Sequence, residues 1–360
     1  MRLKRLHLKQ FRSYPDKEFI FSDSGALIFG PNGSGKTNLF EAIAYNSIGK
    51  SVKYQSDQLL MRFDQKGFKI EADFELRKGK YTIQSDYSIG KKRIAINGIP
   101  INQLSQIYEY IKVVYCSPDD IYLVNGSPRK RRIYFDMAIA QIVPSYILKL
   151  RHFIHIVEQR NALLKDKNNK NQKKHWDDQF IHAALPVIGA RLEYIAKLNQ
   201  KILNLYRETL TEAKNLNIAY AQTLNAITDD TKSGNYTDEL SRIETKEWQY
   251  QRTLIGPHLD DYDIYLSGKP LKDIGSQGQK RTVTLLIKIA HLEMIKDVIG
   301  EYPILLLDDI FAELDMNHIQ QFQKILKNHE QVFVASPNSV TADYWNNLPI
   351  IELTRVDNSI

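Results

Sequence analysis

G-P-N-G-S-G-K-T, residues 30–37, is the stretch of sequence that decides the fold. Its three glycines let the backbone turn tightly enough for successive amide groups to face one anion. The pattern is that of a Walker A phosphate loop, in which Lys36 reaches the β- and γ-phosphates and the Thr37 hydroxyl binds Mg²⁺. The alternative interpretation is a glycine-rich turn that arose by chance.

The flanking residues favour the phosphate loop over the chance turn. Residues 26–29 form a short apolar run typical of a buried strand, and residues 38–48 carry apolar side chains at helical spacing. A strand, a glycine-rich turn and a helix are the context that the motif requires. The predicted nucleotide-binding residues are Gly30, Pro31, Asn32, Gly33, Ser34, Gly35, Lys36, Thr37 and Asn38.

The composition is that of an ordinary globular protein. The 360 residues are 43% apolar and 25% charged, and they exceed the usual length of one domain. The sequence has no apolar run long enough to span a bilayer, and charges interrupt its N-terminus, so we expect neither a membrane span nor a signal peptide. The single cysteine, Cys116, suits the cytoplasm. A net charge of +7 mildly favours a polyanionic partner.

Alternating strand patterns dominate residues 1–125, with a predicted loop at residues 10–14 just before the phosphate site. Strands are expected at residues 2–9, 68–76, 81–87 and 111–116, and a hairpin that turns at Asn97 and Gly98 is expected at residues 93–101. The segment from residue 68 to residue 101 therefore predicts an antiparallel meander beside the phosphate loop. We therefore predict an α/β fold whose head begins with residues 1–125.

A helical arm is predicted to interrupt the head at residues 126–250. Apolar residues recur at steps of three and four in residues 147–164 and 188–205, on either side of a polar stretch at residues 165–174. This pattern predicts an antiparallel helical hairpin with a polar tip. A polar turn is expected at residues 229–235. Residues 251–360 then complete the head, with strands at 262–266, 303–307 and 332–335 and helices at 279–298 and 317–328.

Asp308 and Asp309 are predicted to form the second half of the phosphate site. They end an apolar strand, as in a Walker B element, where Asp308 serves the metal and Asp309 stands where an attacking water could lie. The alternative is an acidic strand end that only caps a turn. Because we expect the two halves on neighbouring strands of a compact core, the residues between them must leave the core and return.

A second anion site is predicted one helix before Asp308. Ser276, Gln277, Gly278 and Gln279, called here the signature loop, begin that helix, and a helix N-terminus with unobstructed amides attracts phosphate. The alternative is an ordinary serine cap. The order is similar to that of the ABC ATPase head, in which the signature loop of one subunit closes on the nucleotide of another. Such a closure predicts a two-fold dimer.

Seven blocks resemble the RecF family of DNA repair proteins more closely than the Rad50 and SMC proteins, whose coiled coils are far longer. The blocks are Q-F-R-S-Y at residues 10–14, S-P-D-D at 117–120, G-S-P-R-K-R-R at 126–132, F-D at 135–136, T-L-I-G-P-H-L-D-D at 253–261, S-Q-G-Q-K-R-T at 276–282 and L-D-D-I-F-A-E-L-D at 307–315. The resemblance implies an ABC-type ATPase head with an inserted arm.

The resemblance also implies a function, that of a cytoplasmic recombination mediator that binds ATP and Mg²⁺. It implies an ATP-dependent homodimer on double-stranded DNA, at gaps or at junctions between single- and double-stranded DNA. RecO and RecR are the implied partners in the loading of RecA. Slow hydrolysis of ATP would release this dimer, which acts as an ATP-gated clamp, from the DNA.

Roles follow by position from the same resemblance. Thr37 and Asp308 serve Mg²⁺, and the signature loop acts on the nucleotide of the other subunit. The remaining assignments are nucleotide contact for Arg12, a part in hydrolysis for Lys36 and Asp309, and the D-loop for Asp315.

Three departures from the wider ABC pattern predict weak turnover. The signature loop reads S-Q-G-Q where most members have S-G-G-Q, and Asp309 stands where most carry the longer Glu. Ser336 and Pro337 follow the last predicted strand, so the usual switch histidine is absent. Nucleotide is therefore expected to act more as a switch than as fuel.

Basic residues at Arg129, Lys130, Arg131 and Arg132 are candidates for contact with DNA phosphates. The alternatives are a solvated helix start or an ion pair with Asp136. Two other classes of protein are alternatives to an ATP-gated DNA clamp. A transporter subunit would have a Glu after Asp308 and a switch histidine, and a small-metabolite kinase would need no signature loop.

Overall fold

The computed structural model describes residues 1–52, 56–209, 215–224, 234–313, 316–326, 329–337, 345 and 347–354. Contacts divide the chain into two units. The first comprises Met1–Ile121, Asn204–Ala213 and Ser276–Ile360, and the second comprises Tyr122–Leu203 and Lys214–Gly275.

Strands and helices alternate in blocks along the chain. The strands are β1 Arg2–Phe11, β2 Tyr14–Ile20, β3 Gly25–Phe29, β4 Gly67–Leu76, β5 Gly79–Ser88, β6 Lys91–Ile96, β7 Ile99–Pro100, β8 Val113–Cys116, β9 Leu216–Ala221, β10 Asp261–Leu266, β11 Lys269–Pro270, β12 Ile304–Asp308, β13 Val332–Ser336 and β14 Ile350–Glu352. The α-helices are α1 Lys36–Ile48, α2 Tyr122–Asn125, α3 Pro128–Ile142, α4 Tyr146–Lys165, α5 Lys173–Thr209, α6 Gly234–Tyr250, α7 Leu271–Ile274, α8 Gln277–Ile299 and α9 Met316–Leu326.

An antiparallel sheet of six strands forms one layer of the first unit, in the order β2-β1-β4-β5-β6-β7. Its strands alternate because one face is buried and the other is solvated. In β1, for example, Leu6 and Leu8 are fully buried while Lys9 is exposed. The predicted strand at residues 2–9 and the predicted meander are confirmed. The predicted loop at residues 10–14 shrinks to Arg12 and Ser13, because β1 and β2 run into it from both sides.

A parallel sheet of five strands, in the order β14-β3-β13-β12-β8, forms the other layer. Its strands are apolar on both faces, as expected for a sheet covered by helices. The predicted strands at residues 26–29, 111–116, 303–307 and 332–335 are confirmed. One expectation was wrong, since β3 and β12 are not neighbours. The strand β13 lies between them and pairs with both.

Helix α1 contributes to the apolar core of the first unit together with both sheets. Its Phe40 belongs to the same buried cluster as Leu6 and Phe68 of the antiparallel sheet and Leu306 and Phe333 of the parallel sheet. Helix α1, which follows the phosphate loop, covers the side chains on this face of the parallel sheet. Burial of this face therefore fixes the position of the loop relative to β12.

The second unit contains the predicted helical hairpin. Phe153 of α4 contacts Phe180 of α5, and further along α4 Arg160 pairs with Asp177, which lies earlier in α5. The two helices are therefore antiparallel, as predicted. The polar stretch between them forms a short 3-10 helix, Lys167–Gln172.

Several elements of the second unit are absent from the predictions, among them α6 and β9. Helix α6 has few apolar residues, although Leu240 is buried, and β9 was missed despite its alternation of Leu216, Ile218 and Tyr220 with exposed or half-buried neighbours. The predicted polar turn at residues 229–235 lies outside the described residues except for its last two, which begin α6.

The predicted boundary at residue 251 differs from the observed division. Residues 251–275 belong to the second unit, whereas the sequence suggested that they belong to the head. The physical reason is that β10 pairs with β9 along its whole length, from Asp261 opposite Ala221 to Leu266 opposite Leu216. The first boundary lies close to the prediction, at Tyr122 rather than at residue 126.

None of the helices in the described ranges combines the length and the apolar character that crossing a bilayer requires.

A buried ionic network joins three helices of the second unit. Arg160 of α4 is fully buried and donates to Glu247 of α6, which is also fully buried, and to Asp177 of α5 at 2.9 Å. Its guanidinium also donates to Thr253 Oγ1 at 2.9 Å. A buried ion pair contributes little net stability, but removal of one partner leaves a buried charge uncompensated.

We predict that Arg160→Met destabilises the protein by about 3–5 kcal/mol, because Glu247 then loses both guanidinium hydrogen bonds and, among the described residues, keeps only the Lys173 ammonium, 3.9 Å away, as a cationic partner. The measurement is the free energy of unfolding in urea. The control is Lys197→Met, which breaks an exposed pair with Glu193 on α5 and should cost about 0.5 kcal/mol or less. Equal losses for the two variants would contradict the role given to Arg160.

Candidate nucleotide-binding site

The phosphate loop connects β3 to α1, as predicted. Two of its glycines, Gly33 and Gly35, have φ angles of +84° and +101°, a region that side chains rarely enter. Gly35 caps the N-terminus of α1, and a Cβ atom there would lie 2.9 Å from both Ser13 Oγ and the Tyr14 hydroxyl oxygen. Tyr14 donates a hydrogen bond to the Gly35 carbonyl oxygen at 3.1 Å. Ser13, just before β2, and Tyr14, its first residue, therefore hold the loop in shape and require glycine at this position.

Lys36 begins α1 and is only 4% exposed. Its ammonium donates to the carbonyl oxygens of Gly30 at 2.8 Å and Pro31 at 3.1 Å. The Ser34 hydroxyl is buried and has no hydrogen-bond partner among the described residues. Asn38 donates to Ser13 Oγ at 3.0 Å. A buried ammonium, a buried hydroxyl and the first amides of a helix thus meet in one loop, which suits a phosphate group.

Thr37 and Asp308 meet although they lie 271 residues apart, with the Thr37 hydroxyl 3.2 Å from Asp308 Oδ1. The carboxylate is 2% exposed. A hydroxyl and a carboxylate are the hard oxygen donors that Mg²⁺ prefers, and Mg²⁺ completes its shell with water and phosphate oxygens. These two residues therefore fit Mg²⁺, and the metal would neutralise charge on the phosphates that the loop holds.

Asp309 follows β12 in a strained conformation. Its φ angle is +52°, and its amide donates to the Ala335 carbonyl oxygen of β13 at 3.2 Å. Aspartate tolerates this left-handed region better than most residues do. The turn directs the chain away from the strand immediately after the metal carboxylate. A cleft beside Asp309 is lined by Cys116, Ser117, Pro118, Asp120, Ile121, Arg281, Thr284, Leu285, Lys288 and Ile310.

Cys116 in that cleft is not a nucleophile. Its side chain is buried, and burial raises the pKa of the thiol to about 12, because the thiolate is poorly solvated there. The thiol therefore stays protonated at physiological pH.

Arg12 lies in the turn between β1 and β2, with a φ angle of +51°. Its amide donates to the Leu60 carbonyl oxygen at 2.9 Å, and its Nε lies 3.9 Å from a carboxylate oxygen of the buried Glu41 on α1. The Arg12 side chain therefore lies near α1, the helix that follows the phosphate loop. Its contact with nucleotide stays a prediction.

The signature loop has the structure of a helix cap. Ser276 Oγ accepts a hydrogen bond from the Gln279 amide at 3.2 Å, and Gln279 Oε1 accepts one from the Ser276 amide at 3.0 Å. Ser276, Gln277 and Gly278 are exposed. Both interpretations of the sequence are compatible with this geometry, since a cap leaves the outer surface of the loop open. Asp315, the predicted D-loop residue, lies outside the described residues.

The basic run in α3 divides into two pairs. Arg129 and Lys130 are exposed. Arg131 is 6% exposed and binds both carboxylate oxygens of Asp261, at 2.7 and 2.6 Å. Arg132 donates to the Asp260 carbonyl oxygen at 2.6 Å, and burial lowers its pKa. Arg131 and Arg132 are therefore engaged within the second unit, and the partner of Arg131 is Asp261 rather than the Asp136 that the sequence suggested.

A family model described as "RecF/RecN/SMC N terminal domain" matches residues 2–355. The DNA replication and repair protein RecF of Natranaerobius thermophilus is 34% identical over 351 residues, which cover 93% of this chain and 91% of the relative. The chain belongs to the RecF family.

Solved structures support the same assignment. The recombination mediator protein RecF-ATP in the RecFOR pathway is 27% identical and superposes with a TM-score of 0.86 over 93% of this chain and 92% of that one. An SMC head bound to the C-winged helix domain of ScpA is 16% identical, with a TM-score of 0.55 over 96% and 92% of the two chains. The predicted ABC-type ATPase head is confirmed.

One polar residue of this RecF-family site was missed by the sequence analysis. The Tyr115 hydroxyl of β8 donates to Asp308 Oδ2 at 2.7 Å. Both strands involved, β8 and β12, were predicted from the sequence. The pairing between them could not be predicted, because nothing in the sequence specifies which two apolar strands become neighbours.

Lys36→Arg should reduce affinity for ATP about tenfold or more, because the planar guanidinium cannot occupy the tight space between the Gly30 and Pro31 carbonyls. Affinity is measured by isothermal titration calorimetry with ATP and Mg²⁺. Lys17→Arg on exposed β2 is the matched control and should bind as the wild type does. Unchanged affinity in the Lys36 variant would contradict the phosphate-loop assignment.

Proposed function

We propose that the protein is an ATP-dependent, DNA-binding recombination mediator. It would dimerise around ATP and Mg²⁺ on double-stranded DNA at gaps or at junctions with single strands, and promote RecA loading together with RecO and RecR. The observation that carries the proposal is the hydrogen bond between Thr37 and Asp308, which joins a phosphate loop to a metal carboxylate in a chain of the RecF family.

Binding of ATP is supported by the contents of the loop and by the name of a relative. The loop supplies a buried ammonium, a buried hydroxyl and helix amides, and the solved relative of TM-score 0.86 is described as RecF-ATP. Mg²⁺ is proposed on the chemistry of Thr37 and Asp308 alone. The metal supplies charge neutralisation and orientation of the phosphates.

Dimerisation is proposed from the exposure of the signature loop. Its outer surface is open, because a Cβ added to Gly278 would meet only Ser276 Oγ within 4 Å among the described residues. The capping box satisfies the amides of Ser276 and Gln279 and leaves the positive end of the 23-residue helix α8 facing outward. The γ-phosphate of a second subunit is a ligand of matching charge.

Slow hydrolysis is proposed from Asp309. Aspartate is one methylene shorter than the glutamate of most ABC ATPases, and the strained turn fixes its backbone. Asp309 would position a water for attack, with Lys36 stabilising charge on the phosphates. The closed, ATP-bound dimer would then be long-lived, and hydrolysis of ATP would open it.

DNA binding and the cytoplasmic location are proposed from the family and the net charge of +7. Of the basic run, Arg129 and Lys130 remain as candidates for phosphate contact because both are exposed. RecO and RecR are proposed as partners because the solved relative is described as acting in the RecFOR pathway.

Ser276→Arg should abolish ATP-induced dimerisation while ATP binding to the monomer survives within about twofold. The guanidinium would occupy the space proposed for the γ-phosphate of the second subunit, whereas the phosphate loop lies in a distant part of the sequence. Mass is measured by light scattering with and without ATP and Mg²⁺, and hydrolysis should disappear together with the dimer.

Asp273→Arg is the matched control, since it adds the same bulk to an exposed residue three positions earlier. It should dimerise normally. A Ser276→Arg variant that still dimerises with ATP would refute the shared site and leave Ser276 as a helix cap.

Arg129→Gln with Lys130→Gln should weaken DNA binding similarly for all sequences and reduce the slope of log K against log[salt] by about 2, because two phosphate contacts are lost. Fluorescence anisotropy of labelled duplex DNA over a salt series measures both quantities. Lys78→Gln with Lys80→Gln, at the exposed end of β4 and β5, removes the same charge as a control. Equal slopes for the two variants would exclude α3 as the DNA contact.

A further inference from the structure

Two hydroxyl groups hold the carboxylate of Asp308, one on each oxygen. Thr37 Oγ1 lies 3.2 Å from Oδ1, and the Tyr115 hydroxyl lies 2.7 Å from Oδ2. The shorter of these bonds comes from Tyr115, which belongs to none of the motifs of an ABC head. A carboxylate bound on both oxygens cannot rotate about its Cβ–Cγ bond without breaking a hydrogen bond.

The register of the parallel sheet explains why Tyr115 reaches this carboxylate. Tyr115 of β8 lies opposite Leu306 of β12, two residues before Asp308. Side chains two residues apart in a strand share a face, so Leu306 and Asp308 point to the same side. The tyrosine ring packs against the apolar cluster that contains Leu306, and its length carries the hydroxyl along the face to Asp308.

The main chain of Tyr115 is held by a second interaction, from helix α8. Its carbonyl oxygen accepts a hydrogen bond from Lys288 Nζ of α8 at 2.5 Å. The same ammonium pairs with Asp120 at 2.7 Å, and both side chains are at most 8% exposed. Asp120 in turn accepts from the Ser117 amide at 2.6 Å. The end of β8 is therefore tied to α8, the helix that begins at the signature loop.

The Tyr115 hydroxyl is the donor in its hydrogen bond to Asp308 Oδ2. An ionised carboxylate can only accept, so the direction of the bond is fixed.

We propose that Tyr115 is a positioning residue for the metal carboxylate, holding Oδ2 of Asp308 so that Oδ1 stays directed toward Thr37. The inference rests on the proposed function, because it assigns the metal to Thr37 and Asp308. Partners that orient a metal ligand lower the cost of reorganisation when the metal binds, and their loss costs about 10–100-fold in metal affinity.

The test is the Mg²⁺ dependence of ATP binding in Tyr115→Phe, which removes only the hydroxyl. Binding of N-methylanthraniloyl-ATP is followed by fluorescence in EDTA and over a series of Mg²⁺ concentrations. The Mg²⁺ concentration at half-maximal effect should rise about tenfold or more, while affinity in EDTA stays within about twofold. A general loss of structure would lower both affinities, so this split separates positioning from damage.

Tyr146→Phe is the matched control, because Tyr146 also donates to an aspartate, Asp136 at 2.5 Å, but in the second unit. It should show the wild-type Mg²⁺ dependence. A Tyr115→Phe variant with that same dependence would overturn the inference and leave the proposed function intact. A wild-type protein without Mg²⁺-dependent ATP binding would instead overturn the proposed function, and the inference with it.

A double-mutant cycle with Asp308→Asn tests whether Tyr115 acts through the carboxylate. In the Asp308→Asn background, Tyr115→Phe should change the Mg²⁺ dependence less than about twofold. An effect of full size there would show that the hydroxyl acts elsewhere and would overturn the inference. Tyr115→Met, which also removes the hydroxyl and fills the space with a flexible apolar chain, replaces Tyr115→Phe if that variant does not fold.

Discussion

The hydrogen bond between Thr37 and Asp308 is the constraint around which the first unit is arranged. It joins two residues 271 positions apart, Thr37 in the first turn of α1 and Asp308 at the end of β12. The strand that leads into the phosphate loop is not next to β12, because β13 separates β3 from β12. The contact exists because α1, which follows the phosphate loop, packs across the sheet face that carries Leu306 and Phe333, and this packing brings the first turn of the helix over the end of β12. Apolar burial along the helix thus determines the geometry of a polar site at its tip.

Sequence reasoning reached those parts of the molecule that local chemistry specifies. The positive φ angles of Gly33 and Gly35 follow from the motif, and alternation in β1 and continuous apolar character in β12 identify the two kinds of sheet. The helical hairpin followed from the spacing of apolar residues in 147–164 and 188–205. The apolar run before Asp308 and the predicted helix that Ser276 to Gln279 begin located the two acids and the signature loop.

What the sequence did not provide is pairing between distant segments. The order of the parallel strands, the partner of Arg131 and the contact of Tyr115 with Asp308 all depend on which elements become neighbours in space. The same holds for Arg191, which is buried and bonds to Asp136, Tyr146, Tyr220 and the Pro257 carbonyl from four different segments. In a list of residues such an arginine resembles any surface arginine. Only burial reveals that it is part of the framework rather than a candidate for contact with DNA.

The position of β3 within its sheet has a consequence for synthesis on the ribosome. Its two neighbours are β13 and β14, and the Leu353 amide also donates to the Phe29 carbonyl oxygen at the end of the strand. The strand that leads into the phosphate loop ends at Phe29, whereas its partners begin only at Val332 and Ile350, so it is translated long before either of them. Until those partners emerge, an apolar strand has unpaired backbone on both sides, and such long-range pairing is slow and exposed to aggregation. A chain that stops before β13 therefore contains the whole phosphate-loop motif but lacks both strands that flank β3 in the sheet.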